Sequence, residues 1–449
     1  MNQNSIQVKA EARVLFVDMN SFFARCEQQV NFWLRNRPVG VCVYTGRYGC
    51  VISLSTEAKA LGIKAGTRLN DVMALCPDFI PVESNPDRYR QFHTKIINIL
   101  QQHCQDVVPK SIDEAIINLT NYEHTDPLTI ARQIKRDILT QVGDWLECSV
   151  GIAPNAFLAK LASVRGKKTG GLMMITPQNI DSVLSELKLG DLPGIGANMS
   201  YRLERAGIKT PLEMRYATPQ RLKGIFKSID GIYWHYRLNF IETNIVAHDY
   251  KGMQAMRQIS AEKRKHPEYI EQLFMTLCLT LEKRMVHHKF YCKSIGFTAR
   301  YEDGTRWDDG FAITLPVQDA VSLMRMIKLR ADKFEKLTGT GPIFNNTITQ
   351  MRVAVTNFVN TGNMFYSLFD DMERQDTALK TMHEIKNKFG SDKLIRAMEL
   401  TDGKVIKDVI GFGSVKDLTE LDYKMPSTAV SKASMDNVEI YNEGFNETY

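Results

Sequence analysis

The residues best suited to chemistry in this sequence are three acids in two short motifs. Asp18 lies within Val14-Leu15-Phe16-Val17-Asp18-Met19-Asn20-Ser21-Phe22-Phe23, and Asp113 and Glu114 lie within Ser111-Ile112-Asp113-Glu114-Ala115. Each motif sets a carboxylate at the edge of an apolar, strand-like run, where a charge is costly unless it meets a cation. Magnesium takes hard oxygen ligands of this kind, one or two carboxylates beside phosphate oxygens. Two such ions roughly 3.5–4 Å apart clamp the attacking and leaving oxygens of an in-line phosphoryl displacement. Three carboxylates on neighbouring strands can hold the pair, Asp18 and Asp113 bridging both ions and Glu114 leaning on one. Taken alone, each of these acids is also compatible with an ordinary strand-end or cap residue, Asp18 more so than the adjacent Asp113 and Glu114.

The elements that must position them are legible as apolar runs. Residues 13–18, 39–44, 112–119 and 148–153 read as buried strands, and 86–104 and 127–142 as helices, a mixture that predicts an α+β domain with acids at strand ends. Residues 31–77 interrupt it, punctuated by Gly46, Gly49, Gly62 and Gly66. Residues 183–245 turn helical. Within them Leu192-Pro193-Gly194-Ile195-Gly196, followed by Leu203, Gly207 and Ile208, has the pattern of a helix-hairpin-helix, whose glycine turn offers backbone N–H groups to phosphate without reading sequence; a plain helix–helix turn is the alternative. A linker is expected over 246–254, then a βαββαβ module over 255–360 and a helix from Met372 to Phe389.

Length and composition fit a multidomain globular chain: 449 residues, 44% hydrophobic and 24% charged, at +6 formal charge. The charge is uneven. Residues 255–360 hold 16 Lys and Arg against 11 Asp and Glu, whereas 401–449 hold 5 against 9, so the polyanion-facing segment is expected in the former. The eight cysteines are scattered without a CxxC pair, which argues against a zinc knuckle or disulfide framework and for buried thiols in a reducing cytosol. No basic leader or long apolar run is present, so the expectation is a cytoplasmic protein without membrane attachment.

With Ala24 and Glu27 after the first motif, then the second motif, then Ser149-Val150-Gly151-Ile152-Ala153 followed by Asn155, Leu158, Ala159 and Lys160, the sequence resembles the Y-family translesion DNA polymerases of the bacterial polymerase IV and polymerase V (UmuC-like) branch. The resemblance runs over roughly residues 12–360. It implies a right-hand polymerase: palm at 1–30 and 78–182, small fingers at 31–77, a helical thumb at 183–245 and a little finger at 255–360. It implies low-fidelity, template-directed DNA synthesis past damaged bases with two Mg2+ ions, on primer–template DNA and deoxynucleoside triphosphates. Damage-induced (SOS) expression is common in such families. A non-catalytic clamp or mutasome adaptor that keeps the fold is the competing reading, and such proteins lack the three acids.

Carried over residue by residue, the resemblance makes Asp18, Asp113 and Glu114 the catalytic metal ligands, joined by the Met19 backbone carbonyl. Phe22 and Phe23 fall on the nucleotide side, Phe23 at the steric gate beneath the sugar and Phe22 turned toward the palm core; plain core packing of the pair is the alternative. Lys167, or its neighbour Lys168, is expected on the triphosphate, together with Thr56 and Lys59, which stand where many members have Tyr and Arg. Pro193, Gly194, Ile195 and Gly196 are expected on the DNA backbone. Residues Phe365 to Phe369 resemble a sliding-clamp-binding pentapeptide with Leu368 and Phe369 as apolar plugs, within a C-terminal extension at 361–449 ending in an acidic tail; packing of these aromatics on their own chain is the alternative. A UmuD-like accessory subunit or a recombinase filament is a further expected type of partner.

Overall fold

The computed structural model describes residues 10–46, 49–122, 124–243, 251–363, 372–389, 394 and 396. The chain divides into two compact units, one holding residues 1–247 and the other 248–407. Among the described residues the first has eight strands: β1 (Val14–Met19), β2 (Val39–Cys42), β3 (Val51–Leu54), β4 (Ile80–Glu83), β5 (Val107–Pro109), β6 (Glu114–Asn118), β7 (Cys148–Ala153) and β8 (Leu172–Met174).

The main sheet has the order β5-β6-β1-β7-β8. Its central strand is buried along its whole length, because helices cover both faces. Leu15, Val17 and Met19 pack with Ile96 and Leu100 of the helix Pro86–His103 and with Ile134 of the helix Pro127–Asp137. Val14 and Phe16 pack on the other face with Leu158 and Ala162 of the helix Ala156–Gly166. A strand buried on both faces reads as a continuous apolar run rather than an alternation. The last helix lies so close to β7 that a Cβ on Gly151 would meet the Ala159 carbonyl oxygen at 1.9 Å, so only glycine fits there.

Local chemistry starts the helices. Asn85 accepts from the Arg88 N–H with Pro86 in the first turn, Asp126 accepts from Leu128 and Thr129, and Asn155 accepts from Leu158. The Asn155 amide also donates to the carbonyls of Arg237 (2.8 Å) and Ile241 (3.2 Å), fastening the helical segment after residue 183 to the sheet layer. The expected helix over 127–142 ends its regular winding at Asp137 and continues as a wider turn, Ile138–Val142.

A second, smaller sheet, β3-β2-β4, surrounds its own core of Val51, Leu54, Ile63, Leu69, Val72 and Phe79. This sheet takes in a strand that lies beyond the expected boundary at residue 77. β4 pairs parallel to β2 from Val39↔Ile80 to Cys42↔Glu83, and a parallel pair requires the chain to cross over before it returns.

The glycine turn joins two short helical arms. Its first arm is a single 3-10 turn, Leu189–Asp191, ahead of Pro193, and its second is the helix Ala197–Arg205. Gly194 turns at φ +98° against the Trp234 ring, a conformation that favours glycine.

In the second unit, β9 (Gly252–Gln258), the helix Pro267–His287, β10 (Phe290–Tyr301), β11 (Arg306–Val317), the helix Ala320–Thr338 and β12 (Ile348–Asn360) follow in the expected βαββαβ order, with the sheet ordered β11-β10-β12-β9. β9 begins inside the segment 246–254 expected as a linker, since Gly252 already pairs with Thr356. A Cβ at Gly252 would stand 2.9 Å from the Thr356 methyl, which explains a linker-like residue inside a strand. The helix Met372–Phe389 has the expected bounds. Its His383 and the later Arg396 meet Glu282, a buried carboxylate on the helix Pro267–His287.

All eight cysteines are free, and six are buried. Among the described residues no helix is long and apolar enough to cross a membrane.

Candidate active site

Asp18 is the next-to-last residue of β1, opposite Glu114 on β6 and Ser149 on β7. Directly paired residues point to the same face of a sheet, so the register sets both carboxylates beside the helix Ala156–Gly166. Asp113 precedes β6, and its carbonyl accepts the Met19 N–H at 2.9 Å, which pins the second motif to the end of the first. The Asp113 carboxylate accepts from Ser111 Oγ at 2.5 Å.

Three lysines converge on these acids. Lys167 Nζ donates to Asp18 Oδ1 at 2.9 Å, from just beyond the end of the helix Ala156–Gly166. Lys160, two turns earlier, donates to both oxygens of Glu114 at 2.8 and 2.9 Å and lies over the Phe16 ring. Lys59, on the helix Thr56–Ala60, donates to Ser21 Oγ at 2.7 Å. Its ammonium is held below its ordinary pKa by partial burial and then by the charge of Lys167, while Asp18 and Asp113 pull the other way.

The carboxyls carry the complementary strain. Burial pushes Asp113 upward, the Ser111 hydrogen bond pulls it down, and the Asp18 charge raises it again. Glu114 is raised by burial against the pull of Lys160, with Asp18 and Asp113 adding to the rise. Among the described residues no three His, Cys, Asp or Glu side chains stand close enough together to hold an ion as they are arranged here. Asp18 and Glu114 are instead turned onto lysines. Mutually repelling, partly desolvated carboxylates nevertheless make a donor set that a hard divalent cation would satisfy.

Phe22 and Phe23 are both buried, at 3% and 7% exposure, so burial does not distinguish a gate from its neighbour. Phe23 stacks on Tyr89, whose hydroxyl donates to the buried Glu27 at 2.8 Å; Arg88 completes that network. Thr56 accepts from Arg25 at 3.3 Å. Pro193, Gly194, Ile195 and Gly196 lie in the thumb-like helical segment, with Gly196 preceding a helix whose N-terminus has no side-chain cap. Leu368 and Phe369 lie outside the described residues.

The sequence reading assigned no role to Lys160, Ser111, Arg25 or Tyr89. For Lys160 a signal was present, because a lysine amid the apolar Leu158, Ala159, Leu161 and Ala162 requires a partner.

Residues 17–164 match the impB/mucB/samB family, and 251–368 match the impB/mucB/samB family C-terminal domain. DNA polymerase IV of Oceanobacillus iheyensis is 30% identical over 298 residues, 65% of this chain and 70% of that protein. The chain belongs to the Y family, polymerase IV type. DNA polymerase IV of Saccharolobus solfataricus is 34% identical over 225 residues, 48% of this chain, and the match spans 63% of that relative's length. A solved Y-family DNA polymerase chimera superposes with TM-score 0.65 at 24% identity, covering 77% of this chain and 99% of its own. An insertion ternary complex of Dbh DNA polymerase does so with TM-score 0.52 at 23% identity over the same shares. The fold of this Y-family member is the multidomain α+β right-hand architecture.

Proposed function

We propose that this chain is a template-directed DNA polymerase that extends primers past damaged bases with low fidelity. The observation that carries the reading is the register of β1 between β6 and β7, which sets Asp18 opposite Glu114 with Asp113 at the strand end and Lys167 on Asp18. The adaptor reading is not favoured, because the three acids are present at one strand end.

Y-family membership implies a divalent-metal dependence in general. Asp18, Asp113, Glu114 and the Met19 carbonyl would hold the metal, taken here as two Mg2+ ions. Bound there, the metal supplies positive charge for the attacking primer hydroxyl and the departing pyrophosphate. The rest is the work of the chain. Lys167 and Lys59, with Thr56, receive the triphosphate, and their ammonium groups offset charge as pyrophosphate leaves. Lys160 keeps Glu114 ionised and oriented. Phe23, braced by Tyr89, excludes a 2′-hydroxyl by overlap. The segment Pro193 to Gly196 presents backbone N–H groups to the duplex backbone, and the basic second unit takes the little-finger role.

The regions are read as palm, fingers, thumb and little finger, with the small sheet extending the fingers to Glu83. A sliding clamp at Leu368 and Phe369 is part of the reading, as is an accessory subunit or recombinase filament. The test is Mg2+-dependent primer extension on undamaged and abasic templates. Extension of both supports the reading; failure on both contradicts it.

A further inference from the structure

Resting on the polymerase reading, we propose that Arg25 is a positioning residue that sets the helix Thr56–Ala60 against the carboxylate-bearing strand ends and so governs the KM for the incoming nucleoside triphosphate.

Arg25 lies one turn beyond Ser21, its N–H donating to the Ser21 carbonyl at 3.0 Å. From this one face, Ser21 Oγ accepts Lys59 Nζ at 2.7 Å and Arg25 Nη2 donates to Thr56 Oγ1 at 3.3 Å. Thr56 and Lys59 are i and i+3 on their own helix and therefore also share a face. Two rungs thus join the helices.

The same guanidinium reaches the other way. Its Nη1 donates to the Trp145 carbonyl at 2.9 Å, and its Nη2 pairs with Glu147 at 3.0 Å. The Glu147 carbonyl accepts the Asn20 N–H at 2.9 Å, just past β1, and Ser149 beyond it is the β7 partner of Asp18. Arg25 therefore bridges the nucleotide-side helix and the sheet end that bears the acids. Only 12% of its side chain is exposed, and among the described residues its buried Nε has no hydrogen-bond partner. Burying an unsatisfied donor is costly, and the three remaining contacts offset it. A lysine carries no planar fork to span them.

The experiment is steady-state single-nucleotide insertion by the full chain with primer–template DNA and Mg2+, comparing wild type, R25A, R25K, K59A and R25A/K59A. Loss of charge-assisted bonds predicts that R25A raises KM about tenfold with a smaller fall in kcat, R25K lying between. Because Arg25 acts through the helix that carries Lys59, R25A should add less than about twofold in KM to K59A. An unchanged KM in R25A, or independent multiplication of the two effects, overturns the proposal. Should R25A melt below the assay temperature, E147Q, which removes the half-exposed anchor of the guanidinium, decides instead: a raised KM supports the proposal and an unchanged one overturns it. If wild type extends primers and these variants match it, only this inference falls; if wild type extends none, the polymerase reading falls with it.

Discussion

Phe23 stacks on Tyr89, ring centroids 4.4 Å apart and planes 19° from parallel. The gate-position ring rests on a second ring from the helix Pro86–His103, and the hydroxyl of that second ring is tied to Glu27 on the helix of Phe23 itself. In the gate role proposed for Phe23, sugar selection by overlap depends on how firmly the stack is held. Phe23→Leu should admit ribonucleotides about tenfold or more readily, if relief of the clash exceeds about 1.4 kcal/mol. Tyr89→Leu should relax selection in the same direction by removing the brace. Phe22→Ala should lower the melting temperature and leave sugar choice alone. Single-nucleotide insertion with ribo- and deoxy-substrates, alongside thermal melts, checks all three.

The two candidate triphosphate lysines are distinguished by what they touch. Both are exposed, but the Lys167 ammonium meets Asp18 at 2.9 Å, whereas for Lys168 the backbone N–H bonds the Arg165 carbonyl. Lys167→Ala should cut kcat/KM about a hundredfold, the scale of losing one charge-stabilising donor at a reacting centre. Lys168→Ala should stay within about threefold, a difference near the ±0.5 kcal/mol of ordinary surface changes. Reversal of the two values in insertion kinetics would move the role to Lys168.

The second unit carries a pH dependence of its own. Burial alone would raise the Glu282 carboxyl, but hydrogen bonds from His383 and Arg396 hold it below its ordinary value. A folded-state pKa below the unfolded one contributes stability that is present above the unfolded pKa, about 4.3, and is lost as pH falls through the folded value. The contribution of Glu282 to attachment of the helix Met372–Phe389 should therefore be fully present above that unfolded value and weaken as pH falls below it. Glu282→Ala should destabilise it at neutral pH by about 3–5 kcal/mol, the scale of breaking a buried ion pair. Limited proteolysis across pH reads both; cleavage in this helix that is independent of pH in wild type would contradict the assignment.

Much of this architecture was legible because pattern and physics agree. The all-buried β1, the helices that begin at Pro86 and Pro127, and the βαββαβ order follow from local periodicity. The acids were legible because charge at the end of an apolar strand requires a partner. What local pattern could not show were relationships made by tertiary pairing. The parallel return of β4 to β2, the start of β9 at Gly252 and the stacking of Phe23 on Tyr89 each join residues far apart in sequence. The lysine pairs Lys160–Glu114 and Lys167–Asp18 belong to the same class, since only the packing of one helix against β7 brings them to the acids.

Leu368 and Phe369 remain a prediction from sequence. Replacing both by Ala should abolish stimulation by the cognate sliding clamp while sparing distributive synthesis on short primers. A pull-down in which the double variant retains wild-type clamp binding would contradict the plug assignment. A fall in stability on the scale of buried Leu or Phe removal, about 2–5 kcal/mol, would instead mark these side chains as packed within their own chain.

The central claim is that Asp18, Asp113 and Glu114 form one metal-holding catalytic centre, and Asp113→Ala tests it most directly. Measured as Mg2+-dependent single-nucleotide insertion on a primer–template, the variant should lose at least about a hundredfold in rate, corresponding to about 3–4 kcal/mol of transition-state stabilisation. Its DNA binding should stay close to wild type. Extension by Asp113→Ala at the wild-type rate, with the same Mg2+ dependence, would contradict the account.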